Sequence, residues 1–140
     1  MPNEQDYFQM TSSKTGVIPR CIARLMCLIN NIDNTRSDQI ADMTNKLGIA
    51  FQIQDDVIAI ESDEYSKSRG MASEDIHEGK RTLMVIHAYN NLPKSEAERL
   101  LNILNMHTED ANLTEEAIEL MKKSNSIQYA KDVSQKLIDR

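Results

Sequence analysis

Two adjacent aspartates, Asp55 and Asp56, interrupt an otherwise apolar run that extends from Gly48 to Ile60. Residues three and four apart share one face of a helix, so a helical run would place Gln52 and both aspartates in one polar strip. Because an aspartate among hydrocarbon needs a cation, a hydrogen-bond donor or water, this strip is the first candidate for chemistry. The apolar side chains around it are Ile49, Phe51, Ile53, Val57, Ile58 and Ile60.

The two carboxylates suit a hard divalent cation. Mg²⁺ in proteins is held through one or two carboxylates, several waters and the phosphate oxygens of a substrate. The alternative is that the strip is a solvated helix face. When the strip is considered by itself, this alternative is the better interpretation. Ser37 is a plausible N-cap for this helix, which would put the aspartates near its C-terminal end. The macrodipole disfavours an anion there, so a cation partner becomes more attractive.

A second candidate is the pair Lys14 and Thr15, within a predicted helix over residues 5–32. Gly16 and Pro19 follow closely, and a proline removes a backbone donor and clashes with the preceding turn. We therefore expect an irregular turn near Lys14 and Thr15, which can direct a lysine into a cavity. The alternative is an ordinary surface lysine before a break in the helix.

A third candidate lies in the segment from Gly70 to Thr82, which is predicted to be a structured loop that opens onto a helix over 83–91. Lys80 and Arg81 follow Gly79 at the start of that helix, where cations and free backbone N–H groups can bind an anion. The pattern is weak by itself because it is not a complete phosphate-binding loop.

The elements that must position these residues are helices. The chain has 140 residues, the size of one domain over residues 1–140, with only 4 glycines, 3 prolines and no sustained strand alternation. The sequence therefore predicts an all-α fold. Later helices are predicted to begin at a capping box of Ser95 and Glu98, at Thr114 and at Ser126.

Charge and cysteine usage exclude several classes of function. A net charge of −6 offers no basic surface for a nucleic-acid backbone. Cys21 and Cys27 lie on different faces of one predicted helix and cannot pair with each other there, which favours a reduced, cytoplasmic protein. Neither a signal peptide nor an apolar run of membrane-spanning length is present. His77, His87 and His107 show no metal-ligand spacing.

Three ordered motifs together resemble the second half of a trans-isoprenyl diphosphate synthase, in the family of farnesyl, geranylgeranyl and longer polyprenyl synthases. They are Lys14-Thr15, the string from Phe51 to Asp56, and Asp75-Ile76 followed by Gly79-Lys80-Arg81-Thr82. Their order and spacing agree with that family, and the likeness spans nearly the whole chain.

The resemblance implies an all-α, partial antiparallel helix bundle whose cavity holds an allylic diphosphate between two Asp-rich motifs that face each other through Mg²⁺. The implied reaction is head-to-tail elongation with isopentenyl diphosphate. By that similarity Asp55 and Asp56 belong to the second Asp-rich motif and bind the metal, while Asp75 supports the metal site from behind.

The resemblance also assigns the residues around the diphosphate. Lys14, Gln52 and Lys80 would lie near it, and Thr15 would border the cation that forms when the diphosphate leaves. Fixed cations aimed at the departing oxygens lower the barrier to ionisation, and apolar walls keep water from the carbocation.

Three departures from the family pattern affect these expectations. The other Asp-rich motif belongs to an N-terminal half that is absent from this sequence, so we expect the chain alone to be inactive. Ala59 stands where the family ordinarily has a third aspartate. The family often has a lysine before the Asp-Ile pair, a role open to Lys67, to Arg69 or to neither.

Two functions from different classes are therefore weighed. The first is part of a prenyltransferase that contributes the second metal-diphosphate half-site. The second is a non-catalytic, truncated or degenerate subunit that associates with a full synthase. A third hypothesis is a generic acidic helical protein whose motif matches arise by chance. Because apolar stripes that face the missing half would be exposed, we expect a homo-oligomer or association with that half.

Overall fold

The computed structural model describes residues 1–66 and 74–139, with the backbone alone for 63–66. A π turn over Ser12–Gly16 joins the first two helices, and no strand occurs in the residues described, which confirms the all-α prediction. Lys67 and Arg69 lie outside the described residues. The helices are α1 (Glu4–Thr11), α2 (Val17–Ile29), α3 (Asn34–Ser66), α4 (Glu74–His77), α5 (Leu83–Asn91), α6 (Lys94–Asn105), α7 (Ala111–Lys123) and α8 (Ser126–Ile138).

The N-terminal arm is one helical rod with a wide turn in it. The Asn3 side chain accepts from the Asp6 backbone N–H, and the Asp6 carboxylate accepts from the Asn3 N–H, a reciprocal capping box that starts α1. The expected irregularity at Lys14 and Thr15 is confirmed, and it is a π turn rather than a break. Pro19 has no N–H to offer the carbonyl four residues earlier, which fits a local widening there.

The long helix α3 begins earlier than predicted. The Asp33 carboxylate accepts from the Arg36 backbone N–H at 3.0 Å, so Asp33 caps the helix and Ser37 lies inside it. The helix continues to Ser66, which places Asp55 and Asp56 in its middle. The prediction that the helix macrodipole disfavours these two carboxylates is therefore wrong, because the macrodipole acts only within the last turn of a helix.

The core forms where α5 is packed against α1, α6, α7 and α8. Helix α5 has the predicted bounds and is capped by Thr82, whose hydroxyl accepts from the Val85 N–H. Helix α8 packs along α3, and buried Ser134 donates to the Ala50 carbonyl at 3.1 Å. The largest fully buried apolar side chains include Ile53, Ile76, Leu83, Met84, Ile86, Leu100, Ile103, Leu104, Ile118 and Met121.

Of the three later helix starts, two are predicted wrongly and one is confirmed. Helix α6 begins right after Pro93 with no side-chain cap, so Ser95 and Glu98 form no capping box. Asp110, rather than Thr114, caps α7 by accepting from the N–H groups of the next turn. Ser126 is the first residue of α8 as predicted.

An apolar stripe is left uncovered on α2. Ile18, Ile22, Leu25 and Ile29 follow one another at helical spacing and are 57–72% exposed. Helix α3 adds exposed Leu47, Phe51 and Ile58. None of the helices described is both long enough and apolar enough to cross a bilayer.

Candidate functional site

A cavity of about 240 Å³ lies between the N-terminal arm, the middle of α3 and the segment that leads into α5. It brings together five of the residues predicted from the sequence and leaves Asp55 and Asp75 outside its lining. The residues that line it are Tyr7, Met10, Thr11, Lys14, Thr15, Gln52, Asp56, Lys80, Arg81 and Thr82.

Asp56 is the buried carboxylate of the cavity wall, with 9% of its surface exposed. The Tyr7 hydroxyl donates to its Oδ2 at 3.0 Å, and the Gln52 amide donates from Nε2 to its Oδ1 at 3.1 Å. The Thr15 hydroxyl in turn donates to Oε1 of Gln52 at 3.0 Å. Four side chains from α1, the π turn and α3 thus form one hydrogen-bonded chain along the wall.

Burial raises the pKa values of two of these hydrogen-bonded side chains, Asp56 and Tyr7. Desolvation raises the pKa of Asp56, while the hydrogen bonds from Gln52 and Tyr7 act in the opposite direction. Burial first, and then the charge of Asp56, raises the pKa of Tyr7 well above its ordinary value. Tyr7 therefore keeps its proton at neutral pH and serves as a hydrogen-bond donor.

Lys80 is held at the cavity rim by two carboxylates. Its Nζ lies 2.5 Å from Oδ1 of Asp75 and 2.9 Å from Oε2 of Glu78. These hydrogen bonds raise the pKa of Lys80, so the side chain remains a cation. Asp75 is buried, and its backbone carbonyl also accepts from the Lys80 N–H. The geometry makes Asp75 a support for Lys80, and its place behind a metal stays a prediction.

Gly79 makes the tight turn before Lys80. Its φ of +65° is a left-handed conformation that glycine adopts without strain, and a Cβ there would lie 2.7 Å from the Leu104 carbonyl oxygen. The Arg81 guanidinium donates back to the Gly79 carbonyl and across to Oδ1 of Asn105. This turn therefore fixes the loop on α6, and both Lys80 and Arg81 contribute to the cavity lining.

Asp55 and Lys14 differ from Asp56 and Lys80 in the exposure and hydrogen bonding of their side chains. Both are exposed, and no described side chain forms a hydrogen bond or salt bridge with either. Asp55 lies between Phe51 and Ile58, one helical turn away on each side, which are 64% and 57% exposed. The open carboxylate thus sits within the uncovered apolar surface of α3.

The described residues can supply only part of a magnesium site. They contain no group of three or more His, Cys, Asp or Glu side chains that could hold a metal. Mg²⁺ needs only one or two carboxylates when phosphate oxygens and waters complete its shell, and the free oxygens of Asp55 suit that role. Each oxygen of Asp56 already accepts a hydrogen bond, and its assignment to a metal stays a prediction.

Tyr7 is the hydrogen-bonding member of three lining residues that were not predicted from the sequence, the other two being Met10 and Thr11. It precedes Lys14 by seven residues, two helical turns, and so shares the face of the helix that meets the cavity. Helical spacing could have identified it, but a single tyrosine carries no motif. His77, His87 and His107 do not line the cavity.

Comparison with known proteins gives a consistent result. A family model described as Polyprenyl synthetase matches residues 1–121. A geranylgeranyl pyrophosphate synthase of Aspergillus flavus is 34% identical over 131 residues, which are 94% of this chain and 36% of that protein. One of Dictyostelium discoideum is 37% identical over 128 residues, which are 91% of this chain and 40% of that protein.

Solved structures agree in fold. The crystal structure of a geranylgeranyl pyrophosphate synthetase from Pyrococcus horikoshii aligns with a TM-score of 0.83 at 29% sequence identity. The alignment covers 99% of this chain and 42% of that one. The chain therefore spans about two fifths of the length of these relatives, and the prediction of a partial helix bundle of this type is confirmed.

Proposed function

We propose that this chain, which belongs to the polyprenyl synthetase family, forms one wall of a site that condenses an allylic diphosphate with isopentenyl diphosphate. The observation that carries the proposal is the convergence of Lys14, Thr15, Gln52, Asp56 and Lys80 on one cavity. We further propose that residues 1–140 form a single domain that works in the cytoplasm, to which the two free cysteines are suited.

The proposed reaction begins with ionisation. The allylic carbon–oxygen bond breaks with its electron pair on the departing diphosphate. The double bond of isopentenyl diphosphate then attacks the allylic cation, and loss of a proton gives a chain longer by one isoprene unit. Bound Mg²⁺ would supply charge stabilisation to the leaving diphosphate.

The cationic side chains of the wall would act on that leaving group. Lys14, whose exposed side chain forms no hydrogen bond or salt bridge with a described side chain, would reach a diphosphate oxygen. Lys80 is fixed at the rim by Asp75 and Glu78, so its charge is already in place before ionisation. Preorganised charges of this kind stabilise developing negative charge without reorganisation.

The hydrocarbon end of the substrate would meet a different surface. Thr15 lines the cavity together with the apolar side chain of Met10, and we assign it to the border of the allylic cation, while Gln52 keeps its proposed place near the diphosphate. Asp55, with Asp56 behind it, would offer the carboxylate for the metal. Ala59 removes a third carboxylate from this half-site.

The part of the site that this chain lacks would pack on the exposed apolar residues of α2 and α3. Phe51 and Ile58 of α3 flank the exposed carboxylate of Asp55 along the helix, and Phe51 lines one groove with Ile18 of the α2 stripe. Patches of this kind mark association surfaces. We propose that the rest of a synthase bundle, or a second copy of this chain, packs there and completes the site.

The test is complementation. The chain with Mg²⁺, an allylic diphosphate and labelled isopentenyl diphosphate should give no elongated product. Adding the portion of the Dictyostelium relative that this chain does not match should give product. Lys14→Met should lower that product, and Lys94→Met, at a lysine whose side chain is 91% exposed, should not. Turnover by the chain alone would contradict the incomplete site, and a failure to complement together with no binding of Mn²⁺ and pyrophosphate would contradict the proposal.

A second function is favoured by Ala59, which stands where the half-site would otherwise have a third carboxylate. An accessory, non-catalytic subunit would associate with a full synthase through the same apolar surface. Adding the chain to an intact synthase should then change the product yield of that synthase, while the incomplete half-site of the first proposal would leave it unchanged.

A further inference from the structure

The hydrogen-bonded chain along the cavity wall has a direction. Asp56 as a carboxylate can only accept, so both of its partners must donate to it. The Tyr7 hydroxyl does so at 3.0 Å, and so does the Gln52 amide at 3.1 Å. The Gln52 amide group therefore faces Asp56, and its carbonyl oxygen has to face the other way.

The orientation of Gln52 decides the orientation of Thr15. The Gln52 carbonyl oxygen accepts from the Thr15 hydroxyl at 3.0 Å, which uses the one proton of that hydroxyl. The lone pairs of the Thr15 oxygen are then left for the cavity that Thr15 lines. A hydroxyl held in this way presents the negative end of its dipole, as a cation in the cavity would require.

We propose that Tyr7 is a positioning residue that, by fixing Asp56, sets the Gln52 amide and through it turns the oxygen of Thr15 toward the cavity. Tyr7 suits this role because it is 3% exposed and held in the core, so its hydroxyl has a defined place. The inference rests on the proposed function in taking this cavity as the place of ionisation.

We call the hydrogen-bonded series from Tyr7 through Asp56 and Gln52 to Thr15 the relay. A double-mutant cycle on the free energy of unfolding tests it without metal or diphosphate. Tyr7 and Thr15 lie eight residues apart, about 12 Å along the helix axis, and sites so far apart are normally additive. Tyr7→Phe and Thr15→Val should instead be non-additive, with the unfolding constant of the double variant differing about threefold or more from the product of the single effects.

Tyr129→Phe is the matched control. The Tyr129 hydroxyl also donates to a carboxylate, that of Glu4 at 2.9 Å, but Tyr129 does not line the cavity. Tyr129→Phe and Thr15→Val should be additive. Additivity of the Tyr7 and Thr15 changes would overturn the inference.

NMR spectroscopy of the Thr15→Val variant is a second test, and it can be made even if Tyr7→Phe does not fold. Thr15→Val alone should shift the Gln52 side-chain amide signals and the Tyr7 ring signals, with the Tyr129 ring signals as an internal reference. Unchanged Gln52 and Tyr7 signals would overturn the relay. Loss of Mn²⁺ and pyrophosphate binding by the wild-type chain would instead remove the half-site and leave the cycle unaffected, so the two failures are distinguishable.

Discussion

Gly48 on α3 lies directly against Gly16 at the end of the π turn, so that a Cβ built on Gly48 would lie 2.9 Å from the Cα of Gly16. The two backbones therefore meet without intervening side chains. The close crossing holds Lys14 and Thr15 against α3, and Ser12 adds a hydrogen bond to Asn45 at 2.9 Å.

Gly48→Ala should destabilise the chain by about 1–3 kcal/mol, because the added methyl group overpacks a backbone crossing. Urea denaturation followed by circular dichroism measures the change. Gln39→Ala, an exposed change on the same helix, should stay within about 0.5 kcal/mol of wild type. A Gly48→Ala variant as stable as wild type would contradict the close crossing.

Asp55→Asn should weaken the binding of Mn²⁺ in the presence of pyrophosphate by about tenfold or more, with little loss of stability, because an exposed carboxylate is removed. Electron paramagnetic resonance of the free Mn²⁺ measures the affinity. Asp42→Asn removes an exposed carboxylate that pairs with Lys46 on the same helix and should leave binding unchanged. Equal losses in the two variants would indicate a general charge effect instead of a site.

Leu25→Lys should weaken self-association by about tenfold or more, because burial of the 58% exposed Leu25 side chain would be lost and a charge introduced. Sedimentation velocity over a range of concentrations measures the association. Met106→Lys is the control, since Met106 is 54% exposed at the end of α6, away from α2. A wild-type chain that stays monomeric at all concentrations would contradict the prediction.

His87 should make the chain less stable in mild acid. Its ring stacks on Tyr129 at a centroid distance of 4.0 Å, and burial lowers its pKa below 6.5, which the charge of Glu4 offsets only in part. The unfolded chain then binds more protons, so the free energy of unfolding rises with pH from the folded pKa to about 6.5.

Urea denaturation at pH 5.5 and pH 7.5 measures this difference. His87→Gln should reduce it, because the titrating ring is gone. Ser126→Ala loses only the hydrogen bond to the His87 Nδ1 and should keep most of the difference. An equal pH dependence in wild type and His87→Gln would show that another group is responsible.

Helical spacing predicted much of the site. It placed Gln52 and Asp56 one turn apart on one face, and they are hydrogen-bonded. It could not separate Asp56 from Asp55, because which of two neighbours is buried depends on the helices that pack there. The Tyr7 hydroxyl, which satisfies Asp56, comes from a residue 49 positions away.

Helix starts were predicted less well than helix existence. Ser95 and Thr114 match the residue types that favour caps, but Pro93 and Asp110 are used instead. A proline fixes its own φ and suits a helix start, and Asp110 accepts from two N–H groups at once. Several capping residues in one polar segment compete, and local sequence alone does not choose between them.

The π turn also controls the rotational phase of the N-terminal arm. Tyr7 and Thr11 before it and Lys14 within it line the cavity, and beyond it Ile18, Ile22 and Leu25 form the exposed stripe. Each residue of an α-helix advances the direction of its side chain by about 100°. Deleting one residue from 12–16 would therefore turn the stripe out of phase with the cavity wall while leaving both surfaces unchanged in composition. The count of residues in this turn, as much as their identity, keeps the two surfaces on their respective sides.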